Sequence, residues 1–142
     1  MKHLIAALLL ASPALAETPM TGAEFEAFVT GKTLTFAIGS EPYGVEYYAP
    51  DRRVIWSFAG GECVNGEWYD EATDTGTNTG TNSGTNSGTN ICFVYENNPD
   101  PQCWQIFEVG GKLRADFMNR PGTTVLYEAY EAEPLVCGGV GT

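Results

Sequence analysis

The chain has 142 residues, 43% of them hydrophobic, and carries 18 acidic against 7 basic residues with a single histidine. Such an acidic surface repels nucleic-acid phosphates, anionic lipid and other polyanions, which leaves a cationic protein or a small apolar ligand as the expected partner. The histidine, His3, lies in the first few residues, so the rest of the chain has no imidazole for general base, metal ligand or pH switch.

Lys2 and His3 precede the apolar run Leu4 to Ala11, and Ala14-Leu15-Ala16 places small residues where a signal peptidase reads them. This pattern predicts a secretory signal over residues 1–16, because the apolar run is far shorter than the ~20 residues that span a bilayer. The mature chain, Glu17 to Thr142, is expected to be one soluble domain in the periplasm or outside the cell, with no membrane anchor. Losing Lys2 leaves six basic residues against eighteen acidic ones.

Thr21-Gly22-Ala23-Glu24 has capping-box spacing, and Met20 and Phe25 are placed to form a hydrophobic staple around the cap. Phe25, Phe28 and Val29 recur at helical spacing until Gly31 stops them, which predicts one short amphipathic helix. From Lys32 onward, short runs rich in Val, Ile, Thr and aromatics alternate with Gly, Pro, Asn and Asp. Strands are expected over Leu34–Ile38, Val45–Tyr48, Arg53–Phe58 and Glu67–Ala72, with turns at Gly39 to Gly44, at Pro50-Asp51 and at Asn65-Gly66. Further strands follow over Ile91–Tyr95, Gln102–Val109, Lys112–Met118 and Thr124–Tyr130. The fold class is therefore mainly β: a single antiparallel meander of about eight strands, either a small barrel or a rolled sheet, preceded by one short helix.

Between the fourth and fifth strands, Thr75 to Asn90 repeats Thr-Asn-Thr/Ser-Gly with a period of four and offers nothing apolar to bury. It reads as a flexible loop inside the domain. Lengthening a loop from ~4 to ~16 residues costs only about 1.2 kcal/mol in closure entropy, so the fold tolerates it.

The last strands can be set in register. A two-residue turn at Gly110-Gly111 faces Val109 with Lys112, Ile106 with Ala115 and Trp104 with Phe117, and puts Phe107 opposite Arg114 on the other face. A four-residue loop over Glu96 to Pro99 faces Tyr95 with Asp100, Phe93 with Gln102 and Ile91 with Trp104. Cys92 then falls across from Cys103, on the side away from the aromatic core. Four cysteines allow three connectivities. The register favours a Cys92–Cys103 disulfide and leaves Cys63 for Cys137, as suits an exported chain. The close C-x-x-C pairs of a zinc ribbon are missing, and no metal or cofactor is expected.

Gly66-Glu67-Trp68, then Ile91-Cys92-Phe93 with Tyr95, then Cys103-Trp104 and a Gly-Gly turn resemble a G-x-W, C-F-x-Y, C-W pattern of small secreted bacterial proteins of unknown function. The resemblance spans Thr21 to Phe117 and implies an exported, cysteine-containing β domain without implying an activity. The Thr-Asn-Gly repeat is an addition to that pattern. More distantly, the chain is similar to lipocalin-like barrels, which also begin with a short helix and a strand near a Gly-x-Trp. Here that Trp falls in the fourth strand rather than the first.

Asp70, Glu71 and Asp74 form the densest acidic cluster and are the candidate carboxylates of a histidine-free cell-wall glycoside hydrolase. They flank a flexible loop, where solvated charge is the simpler reading, and they lack the order of a calcium-binding loop. Arg52-Arg53 beside Tyr47 and Tyr48 can stack or pair across a wet sheet face. The expectation is a non-catalytic binding module. Its site is either a barrel mouth lined by some of Phe36, Trp56, Trp68 and Trp104, or an acidic surface that captures or inhibits a cationic envelope protein. A structural component of the envelope is the remaining alternative.

Overall fold

The computed structural model describes residues 17–59, 61–73, 88–135 and 137. The expected leader, Asp74 and the repeat from 75 to 87 lie outside the described residues. Thr21 caps helix α1 (Gly22–Val29), its hydroxyl accepting from the Glu24 amide while the Glu24 carboxylate accepts from the Thr21 amide. Two of the amide donors at this helix start are thus satisfied by residues three apart, which helps so short a helix hold its position.

Eight strands follow: β1 (Thr33–Ile38), β2 (Glu41–Tyr48), β3 (Arg53–Phe58), β4 (Cys63–Thr73), β5 (Gly88–Tyr95), β6 (Asn98–Val109), β7 (Lys112–Phe117) and β8 (Val125–Glu131). Each pairs antiparallel with the next, and β8 pairs with β1, so the sheet closes into an up-and-down barrel. Closure leaves no free sheet edge. Inward positions alternate along each strand, and Leu34, Phe36, Val54, Trp56, Ile91 and Ile106 are among those that fill the core.

Helix α1 plugs one end. Phe25, 1% exposed, meets Tyr48, Trp68 and Phe93 edge-on, and the Gly31 amide donates to the Tyr48 carbonyl. Arg52, from the β2–β3 turn, ties the plug down: its guanidinium contacts Glu26 of the helix and Asp70 of β4, and it stacks on Trp68 with its centre 4.4 Å from the ring. Arg114 repeats the device on the outer wall, between Glu17 and Asp116 and over Phe107.

Four details of the chain differ from the sequence reading. Asn65-Gly66 is not a turn but lies inside β4, opposite Ile55 and Val54. Its glycine serves a close approach instead, since a Cβ there would sit 2.7 Å from Tyr95 Cδ1 and 2.7 Å from the Val94 carbonyl oxygen. The first hairpin turns at Gly39-Ser40 alone, with β2 beginning at Glu41 rather than Val45. At the end of β5 a register shift pairs Tyr95 with Asn98 rather than Asp100, although Phe93–Gln102 and Ile91–Trp104 pair as expected. Gly88 to Asn90, read as part of the repeat loop, extend β5 against Thr73, Ala72 and Glu71.

Cys92 and Cys103 face each other on neighbouring strands and are joined by a disulfide, with Cα atoms 4.0 Å apart. Cys63, at the start of β4, is joined to Cys137, 74 residues on. The chain that follows β8, the neighbour of β1, is thereby tied to β4.

Candidate functional site

The barrel interior is not completely filled. A cavity of about 170 Å³ runs from the plug to the end where the β1–β2, β3–β4 and β5–β6 turns lie. Its walls are mainly aromatic and aliphatic, including Phe36, Trp56, Trp104 and Ile106, with Asn97, Asn98 and Gln102 near the loop end. For scale, a dry protein cavity of about 150 Å³ accommodates benzene.

Of the four aromatic residues expected to line a barrel mouth, Phe36, Trp56 and Trp104 line this cavity. Trp68 does not; it packs beneath the plug against Phe25, with Arg52 on its other side. Trp56 owes its position to Gly44 of the neighbouring strand. A Cβ at Gly44 would sit 2.3 Å from Trp56 Cζ2 and 2.7 Å from the Ser57 carbonyl oxygen, so the indole lies flat in the space that the missing side chain leaves. Tyr43 and Phe58 continue this wall toward solvent, with ring centroids 5.6 and 5.4 Å from Trp56. Gly44→Ala should therefore displace the indole and destabilise the fold by about 1–3 kcal/mol, the usual cost of overpacking. Urea unfolding with near-ultraviolet circular dichroism checks both effects, and an unchanged aromatic signal would contradict the packing role.

One cavity residue is a carboxylic acid that the sequence reading left unremarked. Glu46 faces inward with Gly44 and Tyr48 on β2, is 4% exposed, and is paired across the sheet with Trp56. The Tyr95 hydroxyl donates to its Oε1 at 2.7 Å, and the Tyr48 hydroxyl is a second hydrogen-bond partner. Burial pushes its carboxyl up to about 7, although the two tyrosine hydrogen bonds work in the opposite direction. The same burial, together with the nearby carboxyl, raises Tyr48 and Tyr95 well above the usual phenol range. Among the described residues, no cation lies within ion-pair distance of Glu46.

The acidic cluster singled out in the sequence is placed otherwise. Asp70 is held by Arg52, which lowers its carboxyl below the usual range, and packs against Gly22 at the start of the plug. Glu71, its neighbour on the strand, points to the opposite face, with Oε2 3.8 Å from the Cys92 sulfur. Glu71 thus lies beside both sulfurs of a closed disulfide, which have no proton or lone thiolate to offer a metal. Arg52 stacks on Trp68 rather than on Tyr47 or Tyr48.

Fold and cavity together define a class: a disulfide-linked, eight-stranded up-and-down β-barrel with a helical plug and a partly polar interior. No protein-family model, curated protein or solved structure matches the chain.

Proposed function

We propose that this protein is an exported, non-catalytic binding module that holds a small, largely apolar ligand inside its barrel, in the periplasm or outside the cell. The observation that carries the reading is the aromatic-walled cavity of about 170 Å³ at the unplugged end of a closed barrel. Interior cavities with a few placed polar groups are the usual form of small-molecule sites, and barrel mouths are a common location for them. Two disulfides suit an oxidising compartment. The test is a titration with phenethyl alcohol followed through the indole N–H signals in nuclear magnetic resonance. Trp56 and Trp104 should shift progressively while Trp68, outside the cavity, stays put. No shift with millimolar phenethyl alcohol, phenethylamine or hydrocinnamate would end the proposal.

A second reading, capture of a cationic envelope protein, draws on the formal net charge of −11. Two of the seven basic side chains, Arg52 and Arg114, are already engaged with acids, which leaves the surface field strongly negative. Association under this reading is lost at high salt, and an envelope extract that yields no cationic protein at low salt would remove it.

A further inference from the structure

A protein that only needed to fill or line an apolar cavity would not place a carboxyl group there, since burying one without a cation is costly. Glu46 is such a group, and its surroundings are specific. Tyr95 from β5 and Tyr48 from its own strand hydrogen-bond it, and Trp56 of β3 and Leu34 of β1 flank it as cross-strand neighbours. Tyr43 is near Tyr95, and Glu128 of β8 lies close enough to Tyr48 to act on it electrostatically. Glu128 accepts from the Leu113 amide at 2.8 Å. All the titratable groups that face Glu46 are therefore neutral phenols or another acid. Among the described residues that line it, the cavity has an acidic group and no positive charge.

Two tyrosine hydrogen bonds leave a carboxylate with free accepting capacity, because its two oxygens offer about four lone-pair positions. Glu46 lines the open space, so that capacity is directed at whatever enters.

We infer that the cavity selects a small organic amine, an apolar or aromatic body carrying one basic nitrogen, with the ammonium on the Glu46 carboxylate and the body against Trp56, Phe36 and Trp104. The inference rests on the reading of the cavity as a ligand site. In the complex the ammonium supplies the cation that the empty site lacks, and charge-assisted hydrogen bonds of this kind are roughly twice as strong as neutral ones. The aromatic walls add attraction for a cation near their faces. An anionic ligand of the same shape is repelled by the same carboxyl. Because Glu46 is partly protonated near neutral pH, seating an ammonium on it below pH 7 requires the carboxyl proton to leave for solvent.

Three probes of matched shape test this: phenethylamine, phenethyl alcohol and hydrocinnamate, titrated calorimetrically into the full chain in buffers of different ionisation enthalpy. At pH 8 the amine should bind at least about tenfold more tightly than the alcohol, with the carboxylate weakest. At pH 6 amine affinity should fall by about tenfold, with close to one proton released per amine bound, while alcohol affinity holds. Glu46→Gln should bring the amine and the alcohol within about threefold of each other and abolish the proton release. If the alcohol binds wild-type protein as tightly as the amine, or hydrocinnamate binds best, the amine inference is overturned and the ligand cavity stands. If none of the three binds, both fall. The wild-type preference and proton release decide the matter even where the Glu46→Gln chain fails to fold.

Discussion

Replacing Cys63 and Cys137 together by serine should cost about 4–5 kcal/mol of unfolding free energy, against about 3 kcal/mol for the Cys92 and Cys103 pair. The difference comes from loop length in the unfolded chain: one bond closes a separation of 74 residues, the other a separation of 11. A longer closed loop removes more conformational freedom from the denatured ensemble, although the dependence is only logarithmic. Small domains are stable by about 5–15 kcal/mol, so the long bridge can account for a large part of the total. It also holds a tail in which, among the described residues, no β-strand extends beyond Glu131. Urea unfolding of the two double-serine variants, with slopes compared as well as midpoints, measures both losses. The reverse order would mean that native packing around Cys92, which is fully buried, outweighs the chain-entropy effect.

Glu46→Gln should make the protein more stable at pH 8 while changing it little at pH 4.5. The native carboxyl is raised to about 7 by burial, from an ordinary value of 4.5. A group raised in the folded state contributes stability below its unfolded value, and loses it as pH rises through its folded one. Ionising Glu46 inside the barrel therefore removes on the order of 3 kcal/mol between pH 4.5 and about 7.5. Glutamine keeps the shape and a carbonyl that accepts from Tyr95, but has no charge to bury. The free-energy difference between variant and wild type should open over that window and then level off. A difference that stays constant across it would show that Glu46 does not titrate as its burial dictates. The other carboxylates are common to both chains and cancel in the comparison.

What the sequence made readable was local or anchored by a turn. The α1 cap lies within four consecutive residues, and the β6–β7 register follows from Gly110-Gly111, whose φ angles of 61° and 81° suit glycine. Asn65-Gly66 misled because its glycine answers to Tyr95, 29 residues away, and such a contact has no local signature. The shifted end of β5 has the same character: Asn98 faces Tyr95 through a two-residue turn at Glu96-Asn97, one that neither glycine nor proline marks. Closure was equally hidden, since pairing β1 with β8 joins the two ends of the meander.

Glu46 is the instructive miss. In Val45-Glu46-Tyr47-Tyr48, hydrophobic alternation points Val45 inward, yet the barrel turns Gly44, Glu46 and Tyr48 to the core. The turn one strand away concealed it as well. A two-residue turn at Pro50-Asp51 would face Val45 with the core Trp56, whereas the hairpin turns through three residues, Pro50 to Arg52, with Asp51 and Arg52 at φ 63° and 58°, and that sets Glu46 directly across from Trp56. Cross-strand partners share a face, so this one-residue difference in loop length decides whether a valine or an acid is buried. Gly44 was legible only as a turn former; its actual partner, the Trp56 ring, is a tertiary contact.

The two bridges also differ in when they can be made. A chain that emerges from its amino end presents Cys63 first, then Cys92 and Cys103, and Cys137 last of the four. An oxidant that joins cysteines in order of appearance would link Cys63 to Cys92 and strand the other two. The observed pairing is nested, with the short bridge inside the span of the long one. Correct assembly therefore requires Cys63 to wait as a free thiol until Cys137, 74 residues on, is available, or an isomerase to undo the consecutive bond. The hairpin of β5 and β6 favours waiting, since it brings Cys92 and Cys103 face to face as soon as those two strands pair.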